Sequence, residues 1–373
     1  MRAILAAGGT AGHINPAIAI ANEIMRSEPD SEILFVGRED CMENTLVPKA
    51  GYELYPIEMH GFSRAFNISG IWFNIKTFFY ALRAQSLAKK LFKKFKPDIV
   101  IGFGGYVSGP VVQKAAKMKI KTAIHEQNSF PGIATKLLAK RVDLMMASSA
   151  DAFKKIDAKA KCVVTGNPVR DEFFSAKRDK LRREWGIGDK TCVVSFGGSL
   201  GARTINEIAA KFMSRHVGTG EVYHIHATGE YGTKLVPELL ESYGVDIKSE
   251  DIKILKYIDN MPECFAAADL IISRSGAITM SEIGAAGKAS VLIPSPNVTE
   301  NHQYFNAKTL ENAGAALLFE EKGLDCDRVS ETVFKLCLDK KRLQMMGVNA
   351  RATAVPNSAK KIYENIVKLI QNT

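Results

Sequence analysis

The chemistry this sequence could perform is concentrated in three glycine-rich stretches and the polar residues that follow them. Gly8, Gly9, Thr10, Ala11, Gly12 and His13 come directly after a short apolar run, Ala3 to Ala7. A helical pattern is expected from Pro16, with Asn15 as its N-cap. Strand, glycine turn and helix in that order aim unpaired backbone N–H groups and a helix dipole at an anion. His13 would sit inside the turn, a titratable imidazole facing whatever the loop binds. The plainer reading is a tight strand-to-helix turn with a solvated histidine. Two common phosphate-binding classes are excluded. Thr10 occupies the second glycine position of a G-x-G-x-x-G fingerprint, and Gly12 is followed by His13 where a P-loop has Lys.

The pattern recurs in the second half. Gly197, Gly198, Ser199, Leu200, Gly201, Ala202 and Arg203 open a helix, and loop amides with the Ser199 hydroxyl could hold a phosphate without a metal. In Arg274 to Glu282, RSGAITMSE, Gly276 turns the chain and a helix is expected from near Ala277. Glu282, one turn in, is placed either to accept two ribose hydroxyls or simply to favour the helix dipole. Asn301, His302 and Gln303 open a further helix, as sugar-reading groups or as caps. Metal chemistry is not expected. His224 and His226 share one strand face without a third ligand, and Asp325-Cys326-Asp327 precedes a helix, where capping is the simpler account.

Around these residues the chain reads as α/β with parallel sheets, strand-like and helical runs alternating throughout. Strands are expected at Ala3–Ala7, Ile33–Gly37, Ile99–Phe103, Thr122–His125 and Leu144–Ala147. A second series follows at Cys192–Phe196, Val222–His226, Ile252–Tyr257, Leu270–Ser273 and Ser290–Pro294. VVTGNPVR, Val163 to Arg170, ends a short strand in a turn and marks the entry to a second domain. The second boundary is expected near Val355-Pro356, with an amphipathic helix from Ser358 to Ile370. At 373 residues the chain has room for two ordinary domains, 1–166 with 356–373, and 167–355.

Six scattered cysteines without a C-x-x-C pair fit a reducing compartment, and the first apolar run is too short for a signal peptide. No stretch approaches the roughly 20 apolar residues of a membrane span, so a cytoplasmic protein is expected. Charge is uneven. Between Met59 and His125, twelve Lys or Arg stand against one acid, Asp98, so this segment carries +11 of a net +10 and the rest of the chain is nearly neutral. Ile71, Trp72, Phe73, Ile75, Phe78, Phe79, Tyr80 and Leu82 exceed what one buried face needs, and Lys89, Lys90, Lys93, Lys94 and Lys96 follow. Apolar residues flanked by lysines suit an interfacial helix on anionic lipid. No nucleic-acid motif accompanies the charge, and nucleic acid is not an expected partner.

GGTAGHINP, GFGGYVSGP (Gly102 to Pro110), HEQN (His125 to Asn128), GNPVR (Gly166 to Arg170), FGGSLGAR, SGAITMSE and HQYFNA (His302 to Ala307) occur in the order seen in the MurG family. The chain resembles that family over nearly its whole length. Ala11 stands where the family often has glycine, and His302 where some members have glutamine. The resemblance implies a GT-B fold: two Rossmann-like domains facing across a cleft, the C-terminal helix crossing back to the first. It implies an inverting N-acetylglucosaminyltransferase, moving the sugar from UDP-N-acetylglucosamine to the 4-hydroxyl of the muramyl sugar of lipid I, without a metal or other cofactor. The second domain would hold the donor. Ser199 would contact the diphosphate, backbone near Ile258 would read uracil, and Ala277, Ile278, Thr279, Met280, Ser281 and Glu282 would cradle phosphate and ribose. Asn128 and Gln303 would approach the sugar, and Arg170 would close from the linker. Thr10, Ala11 and Gly12 would line the donor side of the first domain. His13 is the expected base, with Glu126 as its rival. A peripheral position on the cytoplasmic face of the cell membrane follows, with other cell-wall or division proteins as candidate partners. A UDP-N-acetylglucosamine 2-epimerase or another GT-B glycosyltransferase is the alternative; an oxidoreductase lacks its fingerprint, and a non-catalytic membrane adaptor has no use for three phosphate-type loops.

Overall fold

The structure, a computed structural model, describes residues 1–61, 68–198 and 200–372. Two compact units divide the chain: Met1–Pro168 with Asn357–Thr373, and Val169–Pro356.

The first unit is built on seven strands: β1 (Arg2–Ala7), β2 (Glu32–Arg38), β3 (Glu53–Ile57), β4 (Ile99–Gly104), β5 (Lys121–Glu126), β6 (Leu144–Ala147) and β7 (Lys161–Val164). They form one parallel sheet in the order β3-β2-β1-β4-β5-β6-β7. Parallel strands covered on both faces read as unbroken apolar runs, which is why Ala3–Ala7 shows no alternation. The two faces separate by the period of two. Leu5 and Ala7 pack with Ile14, Ala17 and Ile20 of helix Ala11–Ser27 and with Ile362 and Ile366 of helix Ser358–Gln371. Ile4 and Ala6 pack on the other side with Ala84, Ala88, Leu91 and Phe92 of helix Ile68–Phe95. The C-terminal helix thus belongs to the first unit's core.

The second unit carries β8 (Thr191–Phe196), β9 (Val222–Ala227), β10 (Ile252–Leu255), β11 (Leu270–Ser273), β12 (Ala289–Leu292) and β13 (Ala316–Leu318) in a parallel sheet ordered β10-β9-β8-β11-β12-β13. Strands β3 and β13 were not expected. Both are edge strands: β3 carries Glu53 and Pro56, tolerable only at an edge, and β13 is three residues long. The run expected to reach Tyr257 stops at Leu255, and the strand expected at Ser290–Pro294 ends at Leu292, where the registers with β9, β11 and β13 end.

Helix Ile68–Phe95 buries only a narrow stripe: Thr77, Ala84, Ala88, Leu91 and Phe92. Ile71, Trp72, Phe73, Ile75, Phe78, Phe79 and Leu82 are exposed, Trp72 at 62% and Phe79 at 64%. The side that holds Ile75, Phe79 and Leu82 continues two and three turns later as the exposed Lys89, Lys90 and Lys93. Among the described residues no helix is long and apolar enough to cross a membrane.

Candidate active site

In the first unit, β1 ends where its pairing with β4 slips by one residue, so that Ala7 lies opposite Gly104. Gly9 takes φ +86, which glycine adopts at no steric cost. The helix then begins at Ala11, with Thr10 as the extended N-cap residue. The expected start at Pro16 and cap at Asn15 are therefore corrected by five residues. A single left-handed glycine completes the turn, and Pro16 is buried inside the helix. Thr10, Ala11 and Gly12 form the helix entry, whose first N–H groups lack intrahelical acceptors, and His13 projects from the same turn.

The loop offers fewer amides than its glycines suggest. The buried Glu43 carboxylate accepts from the Gly9 N–H at 3.1 Å and from the Arg38 N–H at 2.8 Å. A Cβ on Gly8 would stand 2.3 Å from Glu43 Oε1. Nothing in the sequence marks Glu43, because its role is set by the return of the chain after β2.

At the end of β5, the buried Glu126 carboxylate accepts from Asn128 N and Nδ2 at 3.0 Å each, from Gly132 N at 3.2 Å and from Thr135 Oγ1 at 2.5 Å. Four donors make it the anchor of the loop that carries Asn128. The His13 ring is half-buried, its Nδ1 3.1 Å from Gln127 Oε1. Gly104 adopts φ +105, and a Cβ there would meet the same His13 Nδ1 at 2.7 Å.

In the second unit, Gly198 and Gly201 take φ +92 and +84 between β8 and helix Arg203–His216. A Cβ on Gly201 would strike the Thr228 carbonyl oxygen at 2.3 Å. Ser199 lies outside the described residues. Helix Ala277–Ala286 starts after Gly276, with no acid in its first turn. Gly276 has φ −62 and ψ 142, and a Cβ there would meet nothing nearer than Thr279 Oγ1 at 3.8 Å. Neither backbone nor packing demands glycine, so the missing side chain leaves space at the entry of the helix. Met280 packs into the core, and the Ser281 hydroxyl donates back to the Ala277 carbonyl at 3.2 Å.

Glu282 follows on the second turn. Burial pushes its carboxyl up to about 7, against the pull of the Arg170 guanidinium, and it has no hydrogen-bond partner among the described residues. Arg170 lies over the Phe173 ring, 5.3 Å from its centre. Ile258 sits between β10 and helix Met261–Ala267 with its side chain in the core, while its backbone N–H and C=O have no partner among the described residues. Gln303 accepts the Ser295 N–H through Oε1 at 2.9 Å, which orients its Nε2 as a donor.

The histidines set aside as ligands are core residues. The Ser195 hydroxyl lies 2.7 Å from both His224 Nε2 and His226 Nδ1, with the His216 ring 5.5 Å from that of His224. Burial pushes His216 and His226 down to about 4 and His224 well below its ordinary range. Asp325 caps helix Cys326–Leu338 by accepting from Asp327 N and Arg328 N. Among the described residues no cluster of three or more His, Cys, Asp or Glu is placed to hold a metal ion.

Residues 3–147 match the glycosyltransferase family 28 N-terminal domain, and 191–362 match its C-terminal domain. The chain is similar to the Acinetobacter baumannii MurG crystal structure, with TM-score 0.77 and 27% identity over 99% of this chain and all of that one. It also shares its fold with the Neisseria meningitidis UDP-GlcNAc 2-epimerase, at TM-score 0.65 and 15% identity over 99% of this chain and all of that one. A transferase of Acetivibrio thermocellus is 43% identical over all of this chain and 99% of its own length, and one of Clostridioides difficile 39% identical over all of this chain and 90% of its own. Both are named UDP-N-acetylglucosamine–N-acetylmuramyl-(pentapeptide) pyrophosphoryl-undecaprenol N-acetylglucosamine transferase. With identity of this level along the full chain, and the glycine turns and helix entries described above in both units, the protein belongs to the MurG family of GT-B N-acetylglucosamine transferases.

Proposed function

We propose that this protein transfers N-acetylglucosamine from UDP-N-acetylglucosamine to the 4-hydroxyl of the muramyl sugar of lipid I, with inversion, giving lipid II. The observation that carries the donor half is Glu282, a carboxylate without a hydrogen-bond partner among the described residues, held where burial disfavours its charge. Two ribose hydroxyls would supply the donors it lacks. The acid-free entry of helix Ala277–Ala286, with the open space at Gly276, suits a diphosphate. Ile258 would read uracil through its backbone, with Gln303 Nε2 and Asn128 on the transferred sugar and Arg170 beside the Glu282 carboxylate.

Inversion needs one displacement. The acceptor oxygen bonds to the anomeric carbon, the bond from that carbon to the diphosphate oxygen breaks, and the electron pair leaves with UDP. Oriented amides and helix dipoles stabilise the leaving charge. The acceptor proton passes to His13, since Glu126 is committed to four donors of its own loop. The exposed aromatic and lysine side of helix Ile68–Phe95 would rest on the anionic cytoplasmic surface of the membrane that holds lipid I.

The test is to incubate the protein with UDP-N-acetylglucosamine and a short-chain lipid I analogue. Disaccharide formation with acceptor-dependent UDP release supports the reading; UDP release that ignores the acceptor points to epimerase chemistry. His13→Ala should lower kcat by roughly 10²–10⁴ with UDP affinity nearly unchanged. If kcat survives and UDP binding collapses, His13 is a phosphate ligand.

A further inference from the structure

The hydrogen bonds around His13 determine more than its position. Gln127 is buried, and its Nε2 lies 3.1 Å from the main-chain oxygen of its neighbour His125. A carbonyl oxygen only accepts, so this contact fixes which end of the Gln127 amide is the NH₂ group. Oε1 is thereby the atom that faces His13 Nδ1 at 3.1 Å. Oε1 also only accepts, so the proton of a neutral His13 belongs on Nδ1, leaving a lone pair on Nε2.

The layer behind agrees. His125 is buried and places Nε2 2.9 Å from the Gly166 carbonyl oxygen, so Nε2 carries its proton and Nδ1 is bare. That bare Nδ1 lies 3.3 Å from Gln127 Nε2, a donor facing an acceptor. Burial pushes His125 down to about 4, which keeps it neutral and preserves this polarity. The Gln127 backbone is held as well, its carbonyl accepting from Asn167 Nδ2 at 3.1 Å. The missing side chain of Gly104 lets the Nδ1 and Cε1 atoms of the ring approach its backbone.

We propose that Gln127 is a positioning residue for the transfer reaction: by accepting from Nδ1 it locks His13 in the tautomer whose Nε2 can take the acceptor's proton. Free imidazole side chains in water favour the opposite tautomer, with the proton on Nε2, which has no lone pair where a base needs one. A neutral amide in this role orients the ring without adding charge, unlike the carboxylate of a catalytic triad. The proposal rests on His13 being the base.

The test uses the full-length protein with ¹⁵N-labelled histidine, the His13 signals identified by their loss in His13→Ala. Wild type should show the Nδ1–H tautomer at His13. Gln127→Met, which retains length and packing, should shift it toward Nε2–H and lower kcat about 10- to 100-fold, the usual scale for removing a group that orients a functional histidine. Donor KM should change less than twofold. In the His13→Ala background, Gln127→Met should produce no further loss. A wild-type His13 in the Nε2–H form overturns the proposal, as does a Gln127→Met enzyme with unaltered tautomer and kcat. If His13→Ala itself keeps full kcat, the base assignment falls and this inference with it. Full kcat in Gln127→Met beside a crippled His13→Ala rejects the positioning role alone.

Discussion

The Tyr363 hydroxyl donates to the Glu28 carboxylate at 2.8 Å, joining the C-terminal helix to the first helix across 335 residues of sequence. The same side chain takes the N-terminal ammonium at 3.0 Å. Below this polar seam, Ile362 and Ile366 are fully buried in the first unit. Ile366→Ala should destabilise the first unit by about 2–5 kcal/mol through lost burial and the cavity left behind, and Tyr363→Phe by about 1 kcal/mol. UDP affinity should be unchanged in both. Urea denaturation beside UDP calorimetry checks this, and weakened UDP binding at full stability would contradict it.

Through its proposed ribose contact, Glu282 would connect donor binding to pH. Its carboxyl titrates at about 7 because burial penalises the charge, so the unliganded site is largely protonated on the acid side of neutrality. Ribose hydroxyls donate best to the ionised form, and donor affinity should fall as pH drops below about 7. Glu282→Gln should abolish that dependence and weaken UDP binding about 10- to 150-fold, the equivalent of roughly 1.5–3 kcal/mol for a charge-assisted pair. Calorimetric titration with UDP from pH 6 to 8 reads both effects. A pH-independent wild type would refute the ribose role.

Membrane contact should be electrostatic as well as apolar. Replacing Lys89, Lys90, Lys93 and Lys94 with Gln should lower binding to anionic vesicles and remove its salt dependence, because surface attraction is screened over about a Debye length. Activity on a soluble acceptor analogue should persist. Trp72→Ser with Phe79→Ser should weaken the binding that remains at high salt. Equal binding to neutral and anionic vesicles at every salt concentration would remove the charge term.

The buried histidines predict acid sensitivity. His125, His216 and His226 are pushed down to about 4, and His224 further. Unfolded histidines titrate near 6.5. Between about pH 6.5 and 4 the unfolded chain therefore binds more protons, and stability falls as pH falls. Each such histidine contributes up to about 1.4 kcal/mol per pH unit in that window and nothing above it. Glu282, with its pKa raised, acts in the opposite sense between about 4.5 and 7, one group against four. Thermal melts from pH 7.5 to 5 should show a falling Tm, and a His226→Gln variant a shallower fall. A flat profile would contradict the neutral burial of this cluster.

The two parallel α/β units and most of their strands were legible in the order of residues, because strands buried on both faces need continuous apolar runs and crossover helices need a 3.6-residue period. That order also showed where glycine turns lead from a strand into a helix, because glycine after a strand with polar residues opening the next helix is a local signal, and the offset of Glu282 placed it near the start of one such helix. The excess of aromatics on helix Ile68–Phe95 was readable too, since a single stripe can bury only about a third of a helix surface.

Which local groups are already engaged depends on contacts made across the fold. Gly9 looks like a phosphate amide until Glu43 arrives from beyond β2 and takes it. Glu126 reads as an open carboxylate until four loop donors close on it, and His13 and Gln127, 114 residues apart, share no sequence signal. Hydrogen-bond satisfaction and tautomer are properties of pairs brought together by the sheet order β1-β4-β5, which no periodicity along the chain encodes.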